Sequence, residues 1–399
     1  MEFKNAGQAG FGVGLCLDED LAKVQAQKLE NTDVLGSNDY GNYRMSDGSI
    51  MVFIPAFVYK EDNGRLKVSY DTSLKDTEGW ILHRAFVNNG KQLKGFFIDK
   101  YLCSPSESNK SVQSIKNADP LTLSLKGSRL IDNDRCVGQV QDAYVLAKTR
   151  GKDYCVVSCF AYSALRMLSL AHAQASTDVT NCAWYDEKYC FVKGNTNYLK
   201  DSYDNEVVYT ACDTFPYKRG KTGSGTPFAK TTHNGQNCGV ADLNGSVTEI
   251  GIGVVQNNDM QDKQLYVFKD SADLRELTID SLLDCDTLYE GVPLSNFEKI
   301  PFGGTWEEGV YQFSNESSGI NWALTGVYPL KVDSQRKQVK YLQGEYISAG
   351  VARKNTGCVF SMGGTFMEGK RCGLWYGSNK SHNNGSLCST GFRCMLLAE

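Results

Sequence analysis

Gly363-Gly364-Thr365-Phe366 and Cys372-Gly-Leu-Trp-Tyr-Gly-Ser-Asn-Lys-Ser-His-Asn-Asn-Gly-Ser386, closed by Gly391-Phe392-Arg393-Cys394, form the stretch on which the reading of this chain turns. An apolar frame encloses a run of Trp, Tyr, Ser, Asn and His. Such side chains offer broad amphipathic area and adaptable hydrogen bonds, which suit contact with another molecule. The run is too polar for an internal strand and too rich in Gly and Asn for a helix. The expectation is an irregular, exposed binding surface pinned at both ends.

An ordinary solvated loop would show the same Asn and Ser content. The adjacent Trp375 and Tyr376 favour a recognition surface, because interfaces draw their hot spots from large aromatics and a solvated loop gains little from them. In one arrangement Trp375 packs inward, and Tyr376, Asn379, His382, Asn383 and Asn384 carry contact. Ser378, Ser381 and Ser386 complete the polar run. Phe366, Glu368 and Lys370 join from the preceding strand and turn, and Arg371 supplies a rim charge.

Working outward, the chain has 399 residues, enough for two or three domains. Gly is abundant at 39 and Tyr at 21, while Pro is scarce at 8, a mix that favours a loop-rich domain with aromatic packing. Net charge is -4 with no large basic patch, which argues against a nucleic-acid partner. No apolar run approaches a membrane span, and Glu2 and Lys4 stand where a classical signal peptide would need an apolar core. The 14 cysteines are scattered and no CxxC pair repeats. Buried free thiols are preferred over disulfides, and a structural zinc site, which needs convergent ligands, comes last.

Residues 1–94 read as a small β-rich module for attachment or oligomerisation, and 95–399 as the larger, ligand-binding domain. In the first part, Asp18 to Leu29 has a short helical pattern with Asp18 as cap. Ile50 to Tyr59 is a strand broken near Pro55, and Lys60 to Gly64 is a hairpin turn. In the second, Leu93 to Leu102 is a strong strand and residues 104–132 form a surface loop. Val137 to Lys148 and Cys159 to Ala173 carry helical spacing. Val247 to Val255, Gln264 to Phe268, Gly344 to Ala349 and Thr356 to Met362 are strand candidates. The fold class is therefore α+β, with two substantial helices, short strands and long loops.

Three blocks then carry a resemblance. Gly95-Phe-Phe-Ile-Asp-Lys-Tyr resembles the opening strand of the formylglycine-generating enzyme (sulfatase-modifying factor) family. Asn237-Cys-Gly-Val-Ala-Asp-Leu-Asn-Gly-Ser-Val-Thr-Glu249 resembles its central motif, and Gly391-Phe392-Arg393-Cys394 its closing strand. They stand in family order from about residue 95 to the end. The resemblance implies a C-type-lectin-like fold, in which Asp242, Asn244 and Gly245 build a turn and Gly363, Gly364, Gly391, Phe392 and Arg393 frame the terminal block. The central block departs from the family: Thr248 and Ile250 stand where common members carry aromatics beside the Glu, and Ser246 replaces Asn.

Tyr40-Gly-Asn-Tyr, Asp47-Gly-Ser-Ile-Met-Val-Phe-Ile-Pro and Thr232-His-Asn-Gly-Gln resemble phage tail and receptor-binding proteins. This non-enzymatic branch includes the variable proteins of diversity-generating retroelements, whose C-terminal surface is diversified at adenine-containing codons. The implied function is non-enzymatic ligand or receptor binding, with a protein or carbohydrate on a bacterial surface as partner. The implied location is a virion or a prophage product, and a homotrimer is the usual tip assembly. Two alternatives stand beside it, a copper-dependent oxidoreductase of the formylglycine-generating type and a structural tail component.

Catalysis finds little support in the residues. The enzymes of this family bind copper with a close cysteine pair before the closing strand, whereas Cys358, Cys372 and Cys388 include no close pair. A nonheme iron site needs convergent histidines, and the four present, His83, His172, His233 and His382, form no HxxxH pair. No catalytic residue and no metal ligand is assigned. Structural calcium is a further inorganic option, through Asp242, Asn244 and Glu249, although a turn explains the first two equally well.

Overall fold

The computed structural model describes residues 4–62, 65–108, 110–122, 140–175, 206–212, 215–225, 232–243, 247–256, 264–277, 296–301, 306–307, 310–314, 331–333, 338–340, 343–349, 358–363, 373–381 and 390–399. They form a mixed α and β structure with few helices, an α+β organisation.

Three apolar runs build the centre of the first sheet. Ile50–Pro55, Gly95–Asp99 and Cys394–Ala398 are buried almost without interruption, the pattern of strands covered on both faces. They pair antiparallel, with Val52 opposite Ile98 and Phe97 opposite Leu396. Ala26–Lys28 and Asn42–Met45 extend the sheet on one side, and Cys155–Val156 closes it on the other. The chain's closing strand thus lies beside its opening block, 297 to 303 residues away in sequence for the pairs from Ile98 to Gly95.

The expected division at residue 94 does not appear as a division of this sheet. Three strands from 1–94 continue directly into three from 95–399, joined where Ile50–Pro55 pairs with Gly95–Asp99, and one hydrophobic cluster runs from Phe11 to Ala398. Side chains from 233–236 also grip the N-terminal turns. Gln236 Oε1 accepts the Gly10 N–H at 2.6 Å, Asn234 donates to the Phe11 carbonyl at 2.8 Å, and His233 Nε2 lies 3.0 Å from the Gly12 carbonyl. Asn42 reaches the Cys238 carbonyl at 2.8 Å. The amide-rich Thr232-His-Asn-Gly-Gln stretch therefore satisfies buried backbone groups of the first module and fastens it to the rest.

Three helices are described. Asp18–Lys23 (α1) is shorter than its sequence pattern, and its cap is Leu17, without a side-chain bond, rather than Asp18. The chain leaves it through Gln25 at φ 55° and enters the strand Ala26–Lys28. Val140–Lys148 (α2) and Cys159–Ala175 (α3) match the two expected helices. Ser158 precedes α3 and its hydroxyl accepts the Ala161 N–H at 3.0 Å, an N-cap bond. Of α3, Phe160, Tyr162, Leu165 and Leu168 are fully buried. The 104–132 loop contains a short hairpin, Ser104–Pro105 with Val112–Gln113, in its described part.

The second sheet has nine strands. Its path runs Phe297–Pro301, Gln264–Phe268, Thr248–Gln256, Cys358–Gly363, Gly373–Ser381, Gln343–Ala349, Val310–Ser314 and Trp306–Glu307, with Thr390–Gly391 pairing Thr248–Gln256 in parallel. Helix α3 packs on the Thr248–Gln256 strand. The contact is close at Gly253, which holds φ +92° and where an added Cβ would lie 2.7 Å from the Phe160 ring. The strand's pairing with Cys358–Gly363 shifts register between Gly251 and Val255, which accommodates that glycine.

Candidate functional site

Over its described part, Gly373–Ser381, the terminal run is a strand and not an irregular loop. Gly373–Ser381 is hydrogen-bonded on both sides, antiparallel to Cys358–Gly363 and parallel to Gln343–Ala349. Composition misled the sequence reading because pairing on both edges satisfies the backbone whatever the side chains are. Trp375, Tyr376, Ser378, Asn379 and Ser381 lie on this strand. Phe366, Glu368, Lys370, Arg371, His382, Asn383, Asn384 and Ser386 fall outside the described residues, as do Gly364, Asn244, Gly245, Cys372 and Cys388.

Register sorts the strand's positions. Ser378 stands opposite Ser361, which stands opposite Ile250; Asn379 stands opposite Phe360, which stands opposite Gly251. A Cβ on Gly251 would meet Cys159 Sγ of α3 at 2.8 Å, so the Gly251 row is the one in line with the helix. At the other end of the neighbouring strand Gly363 holds φ +85°, and a side chain there would lie 2.8 Å from the Tyr162 hydroxyl. Only glycine suits that crossing.

Beneath this frame the three sequence blocks meet at one guanidinium. Arg393 of the closing block is fully buried. Its Nε and Nη2 donate to the two carboxylate oxygens of Glu249, at the end of the central block, at 2.5 and 2.8 Å. Nη1 donates to the carbonyls of Asp99 and Lys100 in the opening block, at 2.9 and 3.3 Å, and Nη2 to that of Ala241 at 2.9 Å. Burial pushes the Glu249 carboxyl above its usual range while Arg393 pulls it back. Burial likewise opposes the charge on Arg393, and Glu249 outweighs it and holds the guanidinium's pKa above its ordinary value. Sequence reading placed Arg393 in the frame but missed its partner. The signal was a Glu at the end of one apolar block and an Arg in another, each destined for burial and in need of a counterion.

Asp242 and Glu249, offered above as calcium ligands, serve the fold. Asp242 takes φ +61°, is buried, and accepts the Gly223 N–H at 2.8 and 2.9 Å and the Leu102 N–H at 3.4 Å. Burial raises its carboxyl to about 6 against the pull of Arg393. Glu249 is committed to Arg393.

A second buried ion pair adjoins the first. Arg150 Nη1 donates to both Asp99 oxygens at 2.7 and 2.9 Å, and its Nε to Asp47 at 2.7 Å. Asp99 also receives the Cys394 N–H at 2.8 Å and the Cys103 thiol at 3.4 Å. The six described cysteines that are free thiols, Cys16, Cys103, Cys155, Cys159, Cys238 and Cys394, are all buried, in keeping with packing thiols.

The described histidines are structural. His83 sits among Phe57, Tyr59 and Phe86, accepts the Ala85 N–H through Nδ1, and burial lowers it to about 3. His233 accepts the Val240 N–H at 3.1 Å, and burial lowers it to about 4. His172 stacks on Phe11 with ring centroids 5.6 Å apart.

A cavity of about 320 Å³, which sequence reading did not anticipate, lies beside α1. Phe53, Pro55, Tyr70 and Leu93 line it, with the Asp20–Lys94 ion pair on its wall. Burial acts to raise the Asp20 carboxyl, and Lys23 and Lys94 together hold it below its usual range. No helix among the described residues is long and apolar enough to cross a membrane. No family model matches this chain, and no curated protein matches it.

Proposed function

We propose that this chain is a non-enzymatic binding protein that presents a ligand-recognition surface on and around Gly373–Ser381, carried by a C-type-lectin-like scaffold. The observation that carries the reading is the placement of an aromatic and amide-rich run on a strand paired along both edges, inside a nine-stranded sheet. Binding surfaces gain affinity when the groups that touch the ligand are held before contact, since less freedom is then lost on association. The Arg393–Glu249 pair ties that sheet to the opening and closing strands of the other, so the frame resists deformation.

The partner class is a protein or carbohydrate of a bacterial surface, with the chain as a phage tail tip or a retroelement variable protein. Assembly as a homotrimer would multiply weak contacts into useful avidity. Ser378 is preferred as a contact position over Asn379, because the Asn379 row aligns with Gly251, the row against α3; Tyr376 is added for its aromatic area.

The test is adhesion of the purified chain to a panel of bacterial cells and to a glycan array. The double variant Tyr376→Ala/Ser378→Ala is expected to lose binding by tenfold or more, as hot-spot truncations of about 2 kcal/mol do, at unchanged melting temperature. Equal binding by that variant would defeat the proposal, and a collapsed melting temperature would assign Tyr376 to packing instead.

A further inference from the structure

The thiols of Cys103 and Cys394 are in contact, with Sγ atoms 3.7 Å apart in a fully buried site. The backbone around them is already tied together. Cys103 N–H donates to the Phe392 carbonyl at 3.0 Å, and Cys394 N–H donates to Asp99 at 2.8 Å. Cys394 begins the closing strand, and Cys103 lies four residues beyond Asp99, the end of the strand it pairs with. A disulfide sets its sulfurs about 2.05 Å apart and needs its two backbones close together. The hydrogen bonds flanking this pair already hold the two segments side by side.

We infer that Cys103 and Cys394 are a disulfide-forming pair that staples the closing strand to the end of the opening block when the chain meets a hydroperoxide. This inference is independent of the ligand-binding reading. In the first step one thiol, deprotonated, attacks the peroxide O–O bond; it becomes a sulfenic acid, and the peroxide's other oxygen leaves as water. In the second step the other thiol attacks the sulfenic sulfur, the S–S bond forms, and the hydroxyl leaves as water. Two thiols are oxidised and one hydrogen peroxide is reduced to two waters. Burial, the neighbouring Cys394 and the Asp99 charge raise the Cys103 thiol well above its usual range, so the folded thiol reacts slowly and the staple forms chiefly through local opening.

A metal centre is the competing use of the same atoms, because Asp99, Cys103 and Cys394 place their ligand atoms within 4.8 Å of one another. Two observations favour the disulfide. Asp99 is already neutralised by Arg150, and a guanidinium 2.7 Å from the carboxylate opposes a further cation. Only three candidate ligands gather here among the described residues, whereas a structural zinc takes four.

The full chain is exposed to hydrogen peroxide or to dithiothreitol, unfolded in the presence of iodoacetamide, digested without reduction and mapped by mass spectrometry. The oxidised sample is expected to yield one cross-linked peptide pair holding Cys103 and Cys394, lighter by two hydrogens than its separate parts. Closing a loop across 291 residues should raise the melting temperature by about 5 °C or more, reversed by reductant. Cys394→Ser should lose both effects; if it fails to fold, the map of the unaltered chain still decides. Alkylated Cys103 and Cys394 in the oxidised sample, pairing of either with Cys155, or sulfonic acids at both would overturn the inference. So would copper or zinc held stoichiometrically by the reduced chain and lost in Cys394→Ser.

Discussion

Replacing Arg393 by Met leaves a buried carboxylate and three backbone carbonyls facing a hydrocarbon. Arg393 supplies five hydrogen bonds in the unaltered chain: two to Glu249 and one each to the carbonyls of Asp99, Lys100 and Ala241. Removing one partner of such a pair costs about 3–5 kcal/mol. Glu249 has one escape, which is to take up a proton. From its ordinary value of 4.5 that costs roughly 3.4 kcal/mol at pH 7, being 2.5 pH units at about 1.36 kcal/mol each. Unsatisfied carbonyls bring the total toward the upper end of the range, a large fraction of the roughly 5–15 kcal/mol that stabilises a domain.

The escape makes the penalty depend on pH. Without Arg393, burial alone acts on Glu249 and raises its folded pKa further above the unfolded value. A raised carboxyl lends stability below the unfolded pKa and loses it as pH rises through the folded one, so the variant should approach the parent in acid. Urea unfolding of both proteins should show a gap of about 4 kcal/mol at pH 7 that narrows by roughly 2 kcal/mol at pH 5.5. Arg393→Met/Glu249→Met should recover much of the loss at pH 7, since it removes the stranded charge. A gap below about 1 kcal/mol at pH 7, or one that does not change with pH, would refute the claim that this pair is a closed, buried junction.

Two further perturbations test the frame. Burial holds His83 neutral, with its pKa near 3 rather than 6.5, so its stabilisation is complete above pH 6.5 and is lost as pH falls toward the folded value. Asn at this position should remove about 2 kcal/mol of the acid destabilisation measured between pH 6.5 and 5, and an unchanged pH slope would place His83 in contact with water. Gly95→Ala would set a Cβ 2.4 Å from the Ile54 carbonyl and 2.7 Å from the Phe53 ring in the middle of the first sheet. A loss of about 1–3 kcal/mol by thermal unfolding is expected, and a neutral result would mean that Gly95–Asp99 and Ile50–Pro55 are not neighbours.

Much of the element content was legible along the chain. The periodicity of Val140–Lys148 and Cys159–Ala175 announced the helices, and the apolar runs at Ile50–Pro55, Gly95–Asp99 and Gln264–Phe268 announced strands. These readings work because local burial repeats with the geometry of the element. Gly373–Ser381 defeated the same logic. Its strand character comes from partners at Cys358–Gly363 and Gln343–Ala349, which composition does not reveal. The tie between the two expected modules was hidden for a related reason: nothing along the polar stretch around 232–238 signals that its side chains satisfy backbone groups of Gly10, Phe11 and Gly12.

By itself, the order of residues determined that this chain would combine two principal helices with many short strands, and that three apolar blocks would be drawn inside. It also marked out the aromatic and amide-rich run near the end. Tertiary structure alone decided that the first and last of those blocks lie side by side, that Arg393 of one neutralises Glu249 of another, and that Cys103 touches Cys394. The physical reason is that periodicity and composition report the environment a residue requires. The identity of its partner, hundreds of residues away, is set only when burial forces every charge and every backbone group to be matched at once.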